Sequence, residues 1–276
     1  MKRLSKLILG SFIALSLLNP MPTLARRPAV EQKTSWYIDN RFDKLYNYIE
    51  ENKTDPVKMI KEAFKDHNIV CVGEVHDSSH REFAVEHLKE LSDTVDYFGV
   101  EVSVDYSQKK PEEIAKELPC YAEKGEELIK AAVDAGLEVI CLDEPYNQTT
   151  GKTSREEAIK ENAKKFKDKK ILIWYGAQHV SKYDRGLEKT PFTRRLMDEG
   201  IKPYTILLLT PRNHERLNKT ILFYSPHRND SFALKDLDKI PEKVYNYNMD
   251  VKEIFISYDA IIHHIPENLK VFEDIN

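Results

Sequence analysis

Cysteine is scarce in this sequence, and its scarcity limits what can stabilise the fold. Only three cysteines, Cys71, Cys120 and Cys141, occur among the 276 residues. A domain of this size does not depend on disulfides for a stable core, and the count is odd. Cys71 and Cys141 lie in apolar, strand-like segments. We therefore expect buried core thiols, with a Cys71–Cys141 bridge between neighbouring strands as the alternative.

A basic stripe is also absent from the sequence. The formal net charge of -4 is spread over mixed Lys and Glu runs. Nucleic acid is therefore excluded as the expected partner, because its recognition relies on clustered Lys and Arg. The apolar content of 41% is enough for one sizeable core, so composition and length predict a globular protein of one domain or two.

The apolar run near the N-terminus is short for a membrane span. Three basic residues precede the run 7–18, and Thr23-Leu-Ala25 follows it, ahead of Arg26. This layout is typical of a secretory signal with a small-residue cleavage site, whereas a membrane helix needs about 20 apolar residues. We expect residues 1–25 to be a cleaved signal peptide and the protein to be periplasmic or secreted. An uncleaved N-terminal anchor is the alternative, but no stable membrane anchor is expected, since no cysteine follows for lipid attachment.

Several familiar site motifs are missing. Gly151-Lys-Thr153 lacks the upstream glycine of a phosphate loop. The sequence has no Gly-x-Ser-x-Gly elbow, no His-Glu-x-x-His helix and no Cys-x-x-Cys pair. These absences disfavour a nucleotide site of that type, a serine nucleophile and a thiolate zinc site.

Two apolar segments, by contrast, end in the same pattern, Gly-x-x-His. The first runs from Ile69 through Gly73-Glu-Val-His76, and the second from Ile171 through Gly176-Ala-Gln-His179. Glycine suits a point where a strand leaves a sheet. A charged side chain at a buried strand end costs on the order of several kcal/mol unless it has a partner. Glu74, His76 and His179 are therefore site candidates, with hydrogen-bonded structural histidines as the alternative.

Other strand-like segments also end in acids. Glu101 lies near the end of the segment 97–102, and Asp143 and Glu144 follow the segment 137–142, although an acid before Pro145 can simply shape a turn. Further strands are predicted at 204–209 and 255–262. Strands alternating with helices through short connections predict an α/β fold, a mostly parallel central sheet with helices on both faces. Ligands bind at the C-terminal ends of such strands, so the candidates should share one edge.

Helical periodicity and end signals place the intervening helices. A helical segment fills residues 26–65, where Asp55-Pro56 opens a helix, and the α/β domain covers residues 66–276. Ser79 and Glu82 form a capping-box pattern with His80 in the first turn, within reach of His76. Further helices are predicted at 122–135, from Ser154, and from Thr190-Pro191 to Gly200. Residues 211–252 show few periodic signals.

These motifs carry a resemblance to a known group of proteins. Gly73-Glu-x-His-Asp77 with His80, Gly99-Val-Glu101, Arg155 to Asn162 and Gly176-x-x-His179 are similar to the motifs of the Tiki/ChaN/erythromycin-esterase-like superfamily, in particular of the ChaN-like haem-binding uptake proteins. The resemblance covers roughly residues 66–185. It implies an α/β fold whose Glu and His motifs line one pocket, in metal-dependent peptidases, metal-independent esterases or haem binders. On that ground Arg155 joins the site candidates. The lipid-attachment cysteine common among ChaN-like proteins is missing.

One functional hypothesis is a hydrolase acting on a peptide or small-molecule ester. In it, His76 and His179, with Glu74 or Glu101, hold a divalent metal or a water, and the remaining carboxylate is the base. Imidazole and carboxylate ligands suit Zn, Mn, Co or Fe. Without a metal, a histidine oriented by Glu74 would activate the water. Arg155 would orient a substrate carboxylate or a developing oxyanion.

The alternative hypothesis is a haem- or iron-binding protein of an uptake system. Tyr183 or a histidine such as His80 would bind the cofactor, and the aromatic residues Trp174, Tyr175 and Tyr183 favour this function. Haem, however, needs a broad apolar cleft, whereas polar strand ends suit a small reaction centre. The hydrolase is therefore preferred.

Overall fold

The computed structural model describes residues 47–76, 78–119, 124–145, 155–183, 190–210, 231–240 and 256–265. All of them fall within one compact unit, Ile38–Asn276. The predicted signal peptide, Cys120, Asp77 and Ser154 lie outside the described residues.

The apolar segments form one sheet whose strand order differs from the chain order. Within the described residues the strands are β1 (Ile69–Glu74), β2 (Tyr97–Ser103), β3 (Glu138–Asp143), β4 (Ile171–Gly176), β5 (Tyr204–Leu209), β6 (Phe232–Leu234) and β7 (Ala260–His263). The sheet order is β3-β2-β4-β1-β5-β7-β6. Every pairing is parallel except the antiparallel pair of β6 with β7. The predicted α/β class with a mostly parallel sheet is confirmed.

Helices connect the strands and cover both faces of the sheet. They are α1 (Pro56–Ala63), α2 (Ser78–Leu91), α3 (Pro111–Lys116), α4 (Gly125–Asp134), α5 (Arg155–Lys164), α6 (Ala177–Val180) and α7 (Phe192–Asp198), and residues 47–52 are also helical. Asp55 caps α1, as predicted, by accepting the N–H of Lys58 at 2.7 Å. Gly136, in the left-handed region at φ 81, follows the end of α4. None of the helices in the described part of the chain is both long and apolar enough to cross a bilayer.

Alternate side chains of the central strands enter two apolar layers. Val72 and Trp174 point to the layer that contains α1, α2 and α4, whereas Cys71 and Tyr175 point to the layer of α5 and α7. Both faces of β1 and β4 are buried, which explains why these strands read as continuous apolar runs. Only the ends of these strands are left to present polar groups to a ligand.

The two described cysteines are free, buried thiols, as expected from the sequence. The assumption that Cys71 and Cys141 lie on neighbouring strands was wrong, because β4 and β2 separate β1 from β3. Three strand spacings of about 4.8 Å put them roughly 14 Å apart, which is beyond the roughly 7 Å limit for a disulfide. Burial raises the pKa of Cys141 to about 11, which keeps this thiol protonated.

Two local predictions need correction, and one strand was missed. The last strand begins at Ala260 rather than residue 255, because Ile256 and Ser257 are helical. Ser79 lies inside α2 rather than at its N-cap, and its hydroxyl donates to Thr210 at 3.2 Å. The short strand β6, in the segment with few periodic signals, was not predicted.

Candidate functional site

The site lies where β2, β4 and β1 end side by side. Glu74 on β1 is in register with Gly176 on β4, and β4 also pairs with β2, the strand that carries Glu101. His76 and His179 follow the ends of β1 and β4 within three residues. Parallel strands meet at one edge with their carboxyl ends, so the topology alone brings these four side chains together.

The two motif glycines are required by close contacts at this edge. A Cβ on Gly73 would lie 2.9 Å from the Cα of Ala177, at the start of α6. A Cβ on Gly176 would lie 3.0 Å from both Glu101 Oε2 and His76 Nε2. Gly73 therefore lets α6 approach β1, and Gly176 leaves room for the side chains of Glu101 and His76.

Glu74 holds His76 in a defined orientation. His76 Nδ1 lies 3.0 Å from Glu74 Oε1, and the indole Nε1–H of Trp174 donates to Glu74 Oε2 at 2.7 Å. Arg81 lies 3.6 Å from the same carboxylate, which is 4% exposed. His76 itself has φ 49, a left-handed conformation that costs a residue with a Cβ roughly 1–2 kcal/mol. Such strain is often found at functional sites.

The charges of this pair stabilise each other. Burial opposes ionisation of Glu74, but the hydrogen bond from His76 and the charge of Arg81 outweigh it and lower the pKa of Glu74. Burial likewise disfavours the imidazolium, yet the hydrogen bond to Glu74 and the charge of Glu101 raise the pKa of His76. A proton taken up by His76 is therefore stabilised from both sides.

His179 is held at both ring nitrogens by consecutive residues of α5. Its Nδ1 bonds Glu156 Oε1, and its Nε2 lies 3.3 Å from Arg155 Nη1. The second oxygen of Glu156 accepts the backbone N–H of Phe192, the first residue of α7, at 2.8 Å. The first turn of α5 thus fixes the orientation of this imidazole.

Glu101 lies between the two histidines. Its Oε2 is 3.5 Å from His76 Nε2, and its Oε1 is 3.9 Å from His179 Nε2. Arg155 Nη2 donates to Oε1 at 2.6 Å, and the backbone N–H of Gly176 donates to Oε2 at 2.8 Å. Both Nε2 atoms therefore face one buried carboxylate that is already held in place.

Arg155 is fixed mainly by carboxylates. Its Nε lies 2.9 and 3.1 Å from the oxygens of Asp143, and its Nη2 bonds the same carboxylate. Burial works against the charge, but the hydrogen bonds to Asp143 raise the pKa of Arg155. The buried ring of Tyr175 lies edge-on to the ring of His179, with 5.4 Å between the ring centroids. Burial and the charges of Asp143 and Glu101 raise the pKa of Tyr175 well above its usual value.

Five sequence candidates therefore meet in one site, namely Glu74, His76, Glu101, Arg155 and His179. Asp143 belongs to it as well, whereas Glu144 contributes a backbone N–H to Asp143 at 2.8 Å.

Sequence reasoning missed Glu156 and the donor role of Trp174. The position of Glu156 beside Arg155, at the start of one helix, is the signal that could have pointed to it.

The two residues predicted to bind a cofactor, His80 and Tyr183, have described contacts of their own. His80 is fully buried, and its Nδ1 accepts the N–H of Val75 at 3.0 Å. Tyr183 is 45% exposed and its backbone N–H donates to Ser181. Trp174 and Tyr175, which favoured a haem cleft, are both buried in the sheet.

The donor atoms of the site are engaged mainly with one another and with the scaffold. Both oxygens of Glu74 and both oxygens of Glu101 are engaged in hydrogen bonds, and a guanidinium faces His179 Nε2. Among the described residues, the three-donor group with all its ligand atoms within 4.8 Å of one another is Glu157, Glu161 and Glu199, outside the site. The ammonium of Lys160 contacts all three of those carboxylates.

No family model and no curated protein matches this chain. Among solved structures, it is similar to the type III effector HopBA1, at 17% identity and a TM-score of 0.40, over 56% of this chain and 82% of that one. It is also similar to RRSP, a MARTX toxin effector domain from Vibrio vulnificus CMCP6, at 22% identity and a TM-score of 0.39, over 56% and 36% of the two chains. At these values the likeness assigns neither a family nor an activity.

Proposed function

We propose that this chain is an exported hydrolase of the ChaN/Tiki type that cleaves an ester or peptide bond with water activated by His76. One observation carries the proposal. Two imidazoles, each held at Nδ1 by a carboxylate, direct Nε2 towards the same buried Glu101, at 3.5 and 3.9 Å. A base that is itself oriented by a third group is the arrangement of a general-base catalyst.

His76 is the proton acceptor in this mechanism. With its Nδ1–H donating to Glu74, its Nε2 carries the lone pair. Nε2 takes one proton from the attacking water as the oxygen bonds to the carbonyl carbon, and the resulting imidazolium lies between Glu74 and Glu101. The same proton then passes to the leaving group as the carbon–oxygen or carbon–nitrogen bond breaks. Glu74 acts as an orienting group, because both of its oxygens are engaged.

Arg155 is the group suited to the developing oxyanion. Four of its five N–H groups are directed to Asp143, Glu101 and His179, which leaves one Nη1–H for a substrate oxygen among the described contacts. Donors fixed before the reaction stabilise charge without a reorganisation cost. The adjoining carboxylates offset the charge of Arg155, so the site favours a neutral carbonyl over an anionic substrate.

The decisive experiment is a hydrolysis panel run beside a haem titration. Purified full-length protein is assayed on p-nitrophenyl esters and fluorogenic peptides, with each of Zn, Mn, Co and Fe and with a chelator, and haem is followed at the Soret band. We expect hydrolysis that survives the chelator and falls by roughly 10² to 10⁴ in His76→Ala, the usual contribution of a positioned base.

The matched control is His87→Ala, a partly exposed histidine on α2 that packs on Phe83 and is not among the described contacts of Glu74, His76, Glu101, Arg155 or His179. It should keep wild-type turnover. Hydrolysis that requires an added metal would reject the metal-free mechanism. Stoichiometric haem binding without hydrolysis of any probe would replace the enzyme by the haem-carrier alternative.

A further inference from the structure

Glu156 occupies the same place beside His179 that Glu74 occupies beside His76. Each carboxylate has one oxygen on the Nδ1 of its histidine, and each has its second oxygen on an N–H of the scaffold. For Glu74 that second donor is the indole of Trp174, and for Glu156 it is the backbone of Phe192. The Glu156 side chain is 12% exposed. The site therefore contains two carboxylate–imidazole pairs that face each other across Glu101.

The neighbours of His179 define which ring nitrogen carries hydrogen. The Glu156 carboxylate only accepts hydrogen bonds, so Nδ1 must donate to it. Arg155 Nη1 only donates, so Nε2 must present a lone pair to it at 3.3 Å. Both contacts demand the same neutral form, with hydrogen on Nδ1. In that form His179 holds the guanidinium that the proposed mechanism assigns to the developing oxyanion.

We infer that Glu156 is a positioning residue for the reaction proposed above, acting through His179 on Arg155. Glu156 fixes hydrogen on Nδ1 of His179, and the lone pair on Nε2 then fixes Arg155 Nη1 against the oxyanion. In Glu156→Gln, the amide oxygen takes over the N–H of Phe192 and the amide NH₂ faces Nδ1. The hydrogen of His179 is then driven to Nε2, where it meets the N–H of Arg155 and displaces the guanidinium.

The test compares Glu156→Gln with Glu157→Gln. Glu157 also joins α5 to α7, through Arg195 Nη1 at 3.2 Å, but it is not among the contacts of His179. A loss caused only by loosening of the two helices would therefore appear in both variants. The readouts are the ¹⁵N shifts of the His179 ring, which report the tautomer, and the kinetics of p-nitrophenyl acetate hydrolysis.

We expect His179 to carry hydrogen on Nδ1 in the wild type and in Glu157→Gln, and on Nε2 in Glu156→Gln. We expect kcat to fall about 10- to 100-fold in Glu156→Gln alone, with KM within about twofold, by analogy with the loss of a carboxylate that orients a metal-binding histidine. Wild-type His179 with hydrogen on Nε2 overturns the inference whether or not the variant folds. An unchanged tautomer or an unchanged kcat in an active Glu156→Gln enzyme overturns it too. A tautomer change in a protein that hydrolyses no probe supports the role of Glu156 at His179 and rejects the hydrolase itself.

Discussion

At the scale of single residues, the contacts of Glu74 fit the role that the proposed mechanism gives it, which is to orient His76 rather than to take protons. Its Oε1 accepts a hydrogen bond from His76 Nδ1 at 3.0 Å, and its Oε2 accepts the indole N–H of Trp174 at 2.7 Å. The sequence indicated that Glu74 mattered, but it left ligand, base and orienting group open as its roles. The indole donor that favours the orienting role comes from β4, 100 residues away. Local spacing could not reveal that contact.

Substitution of Glu74 by Gln should change the pH profile as well as the rate. The carboxylate raises the pKa of His76, so its removal lowers that pKa and keeps His76 in its proton-accepting form to lower pH. In the wild type we expect kcat/KM to rise with pH at a midpoint above 6.5, the ordinary pKa of histidine. In Glu74→Gln this midpoint should shift to lower pH, and the maximum of kcat/KM should be about 10- to 100-fold lower. The pH–rate profiles of the two proteins test this.

Glu90→Gln is the control for that experiment, since Glu90 lies on α2 with its carboxylate largely exposed. Its profile should overlay the wild type. A profile of Glu74→Gln that moves to higher pH would contradict the assignment of His76 as the base.

Some residues of the site could be predicted from the sequence and others could not. Glu74, Glu101 and His179 were predictable together because parallel strands deliver their ends to one edge. Arg155 and Glu156 stand on a helix, and which way its first turn points depends on how the helix packs. The resemblance in sequence motifs supplied Arg155, and nothing in the spacing supplied Glu156.

At the scale of elements, the packing of α5 against α7 holds His179 in place. Lys160, nearly buried, contacts Glu157 and Glu161 on its own helix and Glu199 just after α7. Hydrogen bonds from Lys160 and Lys164 lower the pKa of Glu199 to about 2. These ion pairs join α5, which carries Arg155 and Glu156, to the end of α7.

Removal of the buried ammonium should therefore weaken the fold in a pH-dependent way. We expect Lys160→Met to lower Tm at pH 7 by roughly 2–6 °C. Because the pKa of Glu199 is depressed from 4.5 to about 2, the contribution of its ion pairs is full above about pH 4.5 and is lost as the pH falls towards 2. The gap in Tm between wild type and variant should narrow over that window.

Lys130→Met is the control, because the Lys130–Asp134 pair on α4 is exposed, at 71% and 61%, and such pairs contribute little. A Tm gap for Lys160→Met that stays constant from pH 7 to 3 would show that lost packing, and not lost charge, causes the effect.

Short elements mark the other limit of prediction. The long buried strands β1 and β4 are recognisable in the sequence as apolar runs that are followed by a glycine. Strand β6 has three residues, too few to show an alternating pattern, and it exists because β7 pairs with it. The start of β7 was misplaced because the apolar residue Ile256 precedes the strand inside a helical turn. Tertiary pairing, and not local composition, sets these boundaries.

At the scale of the whole molecule, the remaining prediction concerns export. The run 7–18 is shorter than the roughly 20 apolar residues of a membrane helix, and Thr23 and Ala25 provide the small side chains that a signal peptidase requires before the cut. We expect exported protein to begin at or near Arg26, as measured by intact mass. Ala25→Leu, which places a bulky side chain at the cut, should retain Met1, whereas Ala29→Leu, beyond the cut, should be processed normally. Wild-type protein recovered from the exported fraction with Met1 in place would reject the signal peptide and favour an uncleaved N-terminal anchor.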